Sequence, residues 1–141
     1  VNQQYHAALS KSGGSGRFSD AVYKLAQHLD ASALAEPIAL DWGIAAQVRV
    51  LTDDRVRPRE IFGFTPQATE EFKQQARELL KDPSRQYIVL WEGDKKRTGF
   101  GVYNRRKDFA EIAASQGKHV VETFIAHERS GLPVYIILQA K

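Results

Sequence analysis

Residues 37–43 read Pro37-Ile38-Ala39-Leu40-Asp41-Trp42-Gly43. A short apolar run ends abruptly in an acid, an aromatic ring and a glycine. Ile44, Val48 and Leu51 then follow at helical spacing. This is the pattern of a buried parallel strand whose carboxyl end turns at once into a helix. Such strand ends are where open α/β sheets hold ligands.

Working outward, the chain alternates helices and strands. Ser19 is a good N-cap, with Asp20 at the positive end of a helix whose apolar face is Val22, Leu25, Ala26 and Leu29. Pro37 opens the first strand. The second helix ends at Thr52-Asp53-Asp54, and RVRPR (residues 55–59) is a basic loop. EIFGF (residues 60–64) is a short second strand, broken by Thr65-Pro66. Thr69 caps a third helix with two glutamates in its first turn and Phe72, Ala76, Leu79 and Leu80 inward. Asp82-Pro83 stops it. QYIVLW (residues 86–91) is a strand dense in aromatic and branched side chains.

A fourth helix spans residues 105–116, with Phe109, Ile112 and Ala113 inward and Gly117 as its stop. Two strands, residues 118–127 and 133–140, flank the turn Glu128-Arg129-Ser130-Gly131 and form an antiparallel hairpin. The order α-β-α-β-α-β-α-β-β predicts an α/β fold: three layers, a mostly parallel sheet with helices on both faces, and a C-terminal antiparallel hairpin at one edge. Residues 17–141 form a single α/β domain on this reading. Residues 1–16 are an N-terminal segment and linker, because SKSGGSG (residues 10–16) is polar and glycine-rich. A phosphate-cradling loop is the alternative for that stretch, but its spacing matches neither dinucleotide nor P-loop fingerprints.

The chain has 141 residues and no cysteine, so disulfides and thiolate metal sites are excluded. It also has no methionine and begins with Val1, which leads us to expect a piece of a longer polypeptide. No run approaches the ~18 apolar residues of a membrane span. The net charge is +3, unevenly placed: between Arg55 and Lys107 there are 13 basic and 7 acidic residues. Such a surface is either a solvated face or one turned to phosphates or anionic headgroups.

The carboxyl ends of the strands offer Asp41, Trp42 and Gly43, then Phe64 and Thr65, then Trp91, Glu92 and Gly93. Asp41, Trp42, Gly43, Thr65, Trp91 and Glu92 are therefore the candidate ligand-binding residues. Indole rings stack on apolar sugar faces, and carboxylates accept hydroxyl hydrogen bonds. The competing reading is that Trp42 and Trp91 close the edge of the core while Asp41 caps the second helix. Asp41 and Glu92 are conceivable as an acid–base pair for glycoside hydrolysis, but no residue is assigned a catalytic role. His6, His28, His119 and His127 lack metal-ligand spacing. His119 and His127, eight apart on one strand, are expected to share a face. No serine stands in a nucleophile elbow. No metal site and no cofactor are assigned. Three basic clusters, the last being Arg105-Arg106-Lys107, flank Phe100 and Tyr103. They raise a nucleic-acid-binding alternative, which the small total charge and the absence of a known module disfavour.

DWGIAAQVRVLTDDRVRPRE (residues 41–60), a Thr-Pro before an acidic helix, YIVLWEG (residues 87–93) and SGLPVYIILQA (residues 130–140) together carry a resemblance. The chain resembles the soluble C-terminal domain of bacterial multi-spanning glycosyltransferases similar to dolichyl-phosphate-mannose–protein mannosyltransferases. The family's Asp-Trp-Gly falls on Asp41-Trp42-Gly43, and its Gly-x-Pro-Val-aromatic strand on Gly131 to Tyr135. Residues 19–23 fit the helix that opens the domain. The chain departs from the pattern at residues 93–103, where Lys-Lys-Arg and Gly-Phe-Gly replace a phenylalanine–proline element. The resemblance implies an extracytoplasmic accessory domain on a bacterial membrane that binds or positions a glycan or protein acceptor. Its partner would be the membrane-spanning portion of the same parent chain, which would carry the transfer chemistry. The alternative is a stand-alone, cytoplasmic α/β domain that binds or hydrolyses a sugar or nucleotide.

Overall fold

The computed structural model describes residues 20–32, 36–63, 67–91 and 105–141. The elements are α1 (Ala21–Ser32), β1 (Ile38–Ala39), α2 (Ile44–Leu51), β2 (Arg59–Glu60), α3 (Glu70–Leu79), β3 (Tyr87–Leu90), α4 (Arg106–Ser115), β4 (Val120–His127) and β5 (Pro133–Ala140). Their order is the one the periodicities predict. The expected cap Ser19, the segment 1–16 and the third-strand loop lie outside the described residues. Among the described residues no helix is long and apolar enough to cross a membrane.

Local chemistry accounts for the helix ends. Thr69 sits at the α3 N-cap in extended geometry, and its Oγ1 accepts from Phe72 N–H at 3.0 Å. Glu70 and Glu71 fill the first turn, where the helix dipole favours negative charge. The C-terminus of α3 is met by Lys118, whose Nζ donates to the carbonyl of Leu80. α2 ends at Thr52, after which Asp53 and Asp54 both take left-handed φ values of 50° and 61°. Asp54 N–H bonds to the Arg49 carbonyl at 2.8 Å, and the two side chains pair at 2.9 Å.

The five strands form one mixed sheet in the order β2-β1-β3-β5-β4. β1 pairs in parallel with β2 and with β3, while β3–β5 and β5–β4 are antiparallel. Two expectations are corrected here. The sheet is mixed, not mostly parallel, since its longest ladders are the antiparallel ones. The hairpin does lie at an edge, but its antiparallel strand β5 is interior and β4 is the edge. Burial explains the order. β5 is buried along nearly its whole length, whereas β4 carries Glu122, Thr123, Ile125 and His127 exposed. An edge strand tolerates that polarity, and an interior one does not.

The buried side chains separate into two clusters. One gathers Ile38, Leu40, Tyr87, Val89, Ile136 and Leu138 with Phe72, Ala76 and Leu79 of α3 and Phe109, Ile112 and Ala113 of α4. The other gathers Ala39, Ile88, Leu90 and Ile137 with Val22, Leu25 and Leu29 of α1 and Ile44 and Val48 of α2. Alternate residues of one strand thus enter different clusters, as the period-2 alternation of a pleated strand requires.

β4 breaks that parity. Glu122 opposes Leu138, but Phe124 opposes Ile137, so Thr123 is an extra residue in the ladder. Val120 accordingly packs against the first cluster and Phe124 against the second. Phe124 then stacks on His28 of α1, with ring centroids 4.0 Å apart and planes at 16°.

Tyr87 is 1% exposed and its ring lies 4.3 Å from that of Phe109. Among the described residues its hydroxyl has no hydrogen-bond partner, and burial pushes the phenol up to about 12. The folded state therefore holds the proton more tightly than the unfolded chain. Stability from Tyr87 is complete below pH 10 and is lost as pH rises through about 12, at up to about 1.4 kcal/mol per unit. Tyr87→Phe should be as stable as the wild type or more so at pH 7, and should lose this part of the alkaline decline. Urea titrations of both proteins at pH 7 and in the alkaline range check this; a Tyr87→Phe protein less stable at pH 7 would contradict it.

Candidate functional site

β1 connects through α2 to β2 on one side, while β3 pairs on its other side. The strand order therefore reverses at β1, and the carboxyl ends of β1 and β3 flank the position where open α/β sheets form a crevice. Asp41-Trp42-Gly43 follows β1 here, and Trp91 follows β3.

The three residues after β1 do different things. Asp41 is 2% exposed, and its Oδ2 accepts from the N–H of Leu90 at 2.8 Å. The β1–β3 ladder runs through Ile38 N–H to the Gln86 carbonyl and Leu40 N–H to the Ile88 carbonyl, both 2.9 Å. At the next rung, the Asp41 carboxylate stands where a main-chain carbonyl would fall. Trp42 is 44% exposed. Gly43 occupies the α2 N-cap position at φ 85°, where a side chain would strain the backbone. Its carbonyl accepts from Gln47 Nε2 at 3.3 Å.

The helix-cap reading of Asp41 is thereby corrected. The cap position belongs to Gly43, which has no side chain to offer, and Asp41 reaches β3 instead. Trp91 is half-buried against the first core cluster, and its N–H bonds to the Val134 carbonyl at 2.9 Å. Trp42 and Trp91 are the only tryptophans of the chain and stand after adjacent strands, whose axes in a sheet lie about 5 Å apart. Thr65 and Glu92 lie outside the described residues, and with them any pairing of Glu92 with Asp41.

Arg105 is the residue that sequence reasoning misses. The run Arg105-Arg106-Lys107 reads as one basic cluster, yet Arg105 is 1% exposed. Its Nε donates to the Phe62 carbonyl at 2.7 Å and one terminal nitrogen to the Gln67 carbonyl at 3.2 Å. The guanidinium lies 5.9 Å over the Phe72 ring, and the Asp108 carboxylate is 3.8 Å away. One signal does exist: Arg105 precedes Phe109, Ile112 and Ala113 by four, seven and eight positions, which places it on the buried stripe of α4.

Three other described arginines of the basic half pair with carboxylates at the surface. Arg55 bonds Asp30 at 2.7 Å, Arg59 lies 3.4 Å from Glu36, and Arg106 lies 3.0 Å from Glu122. The hydrogen bond from Arg55 holds the Asp30 carboxyl below its ordinary range. Among the described residues no group of three histidine, aspartate or glutamate side chains is arranged to hold a metal. A cleft of about 450 Å³, lined by Arg59, Glu78, Lys81 and Arg85 among others, sits where β2 and β3 begin, at the opposite end from the tryptophans.

No family model matches the chain, and no curated protein or solved structure matches it significantly.

Asp41→Ala removes the acceptor of a buried N–H, which costs about 1–3 kcal/mol. Asp41→Asn keeps a carbonyl oxygen in that place and should lose less than half as much. Denaturant midpoints of the two variants decide it; equal losses would show that the bond to Leu90 is not what Asp41 contributes.

Proposed function

We propose that this chain is an accessory domain of a membrane glycosyltransferase, and that it binds or positions a glycan-bearing acceptor at the strand-end rim without catalysing transfer itself. The reading rests first on the rim. Two indole rings stand at the ends of adjacent strands where the sheet order reverses, and one of them is 44% exposed. A large aromatic ring turned to solvent is a surface on which an apolar sugar face stacks, and a half-buried one follows the neighbouring strand. The Asp41 carboxylate is engaged by the main chain, and a carboxylate so held serves shape better than proton transfer. That favours binding over hydrolysis.

The resemblance to the C-terminal domain of enzymes similar to dolichyl-phosphate-mannose–protein mannosyltransferases supplies the setting. In it, the domain sits on the extracytoplasmic face of a bacterial membrane and its partner is the membrane-spanning portion of the parent chain. A three-layer architecture with helices over both sheet faces fits this reading. The partition of alternate strand residues between a cluster with α3 and α4 and a cluster with α1 and α2 supports it. The surface pairing of Arg55, Arg59 and Arg106 with carboxylates argues against the nucleic-acid alternative, since phosphate binding calls for cations with little competition.

Intrinsic fluorescence tests the proposal, because every tryptophan of the chain is at the rim. Methyl α-mannoside or a mannobiose should change the emission saturably, and Trp42→Ala should abolish the response while leaving the melting temperature near that of the wild type, as for other exposed positions. A wild-type spectrum indifferent to these and to a panel of other disaccharides would end the sugar reading.

A further inference from the structure

We infer that Arg105 is a positioning residue of the rim, whose guanidinium locks the chain after β2 and the first turn of α3 to the start of α4. Its relevance to ligand binding rests on the reading of the rim given above.

A buried guanidinium costs several kcal/mol unless its donors are matched. Arg105 meets that cost in part with two carbonyls, that of Phe62, which follows β2, and that of Gln67, which precedes α3. The planar fork suits such a clamp, since Nε and a terminal nitrogen aim in fixed directions. A lysine ammonium on a flexible stem cannot reproduce both bonds. The ring of Phe72, in the first turn of α3, lies under the same group. The site is otherwise unfavourable to a cation, because Arg105 stands at the N-cap of α4 and above the first turn of α3, both positive dipole ends. Asp108 at 3.8 Å, together with Glu70 and Glu71, offsets this only in part, because all three carboxylates lie at or near the surface. Geometry is therefore what keeps an arginine here. One side chain joins the end of β2, the start of α3 and the start of α4, all on the end of the sheet that carries Trp42 and Trp91.

Hydrogen–deuterium exchange on wild type, Arg105→Lys and Arg105→Met tests this directly, without any ligand. In Arg105→Lys, which keeps the charge and most of the stem, amides of residues 67–72 and 105–109 should exchange roughly tenfold faster or more, as expected for a lost buried hydrogen bond. Those of α1 (Ala21–Ser32) should be unchanged. In a Trp42→Phe background, Trp91 should at the same time become more accessible to iodide quenching. Arg105→Met should enlarge both effects. No change, or one spread evenly over all elements including unfolding of both variants, would overturn the inference by making Arg105 an ordinary stability residue. A methyl α-mannoside titration of the same proteins separates the two readings. A wild type that does not bind defeats the sugar proposal and leaves the exchange result to stand. A wild type that binds and an Arg105→Lys protein that binds equally well defeats the positioning role.

Discussion

The bond from Leu90 N–H to the Asp41 carboxylate is the junction on which this end of the molecule depends. Parallel strands that part company leave main-chain donors without acceptors, and a buried N–H left so is expensive. Asp41 supplies the missing acceptor, so β1 can stop pairing after Leu40 while β3 continues one rung further beside β5. The chain is then free to turn at once. Gly43 allows the left-handed step into α2, and Trp42, placed between the two, is carried outward into solvent. The tripeptide reads as a single device with one residue closing the ladder, one presented and one turning.

The same logic accounts for the other end of the sheet order. β5 is the apolar strand, buried at most of its positions, and in the sheet it has a hydrogen-bonded neighbour on each edge. It lies between β3 and β4, which leaves the more polar β4 at the edge. β4 meets two different helices along its length, and the extra residue Thr123 rotates its side chains from the cluster of α4 to that of α1. Bulges of this kind also make an edge strand a poorer template for pairing with another chain.

The legible and illegible parts of the fold divide by distance along the chain. The Thr69 cap, the glutamates behind it, the stop after Thr52 and the closing hairpin are all set by residues within a few positions of one another, and they stand where the pattern puts them. The place of β5 in the sheet is not legible, because hairpin neighbours say nothing of which strand faces β3. The partner of Asp41 lies 49 residues away and that of the Arg105 Nε 43 residues away. Neither leaves a local trace, and Arg105 reads as surface charge because its neighbours Arg106 and Lys107 do. Its helical phase with Phe109 is the better guide. For the candidate site, the pattern puts Trp42 and Trp91 after the first and third strands but gives neither the adjacency of those strands nor any sign that Asp41 is engaged by main chain.

The central claim is that the two tryptophans form a carbohydrate-binding surface. Fluorine NMR of protein carrying 5-fluorotryptophan tests it most directly, since the chain has two tryptophans and each gives its own resonance. On titration with mannobiose, both resonances should move along one common saturation curve, with the more exposed Trp42 moving further. Two resonances that stay fixed across the titration, or that move without saturating, would contradict the account.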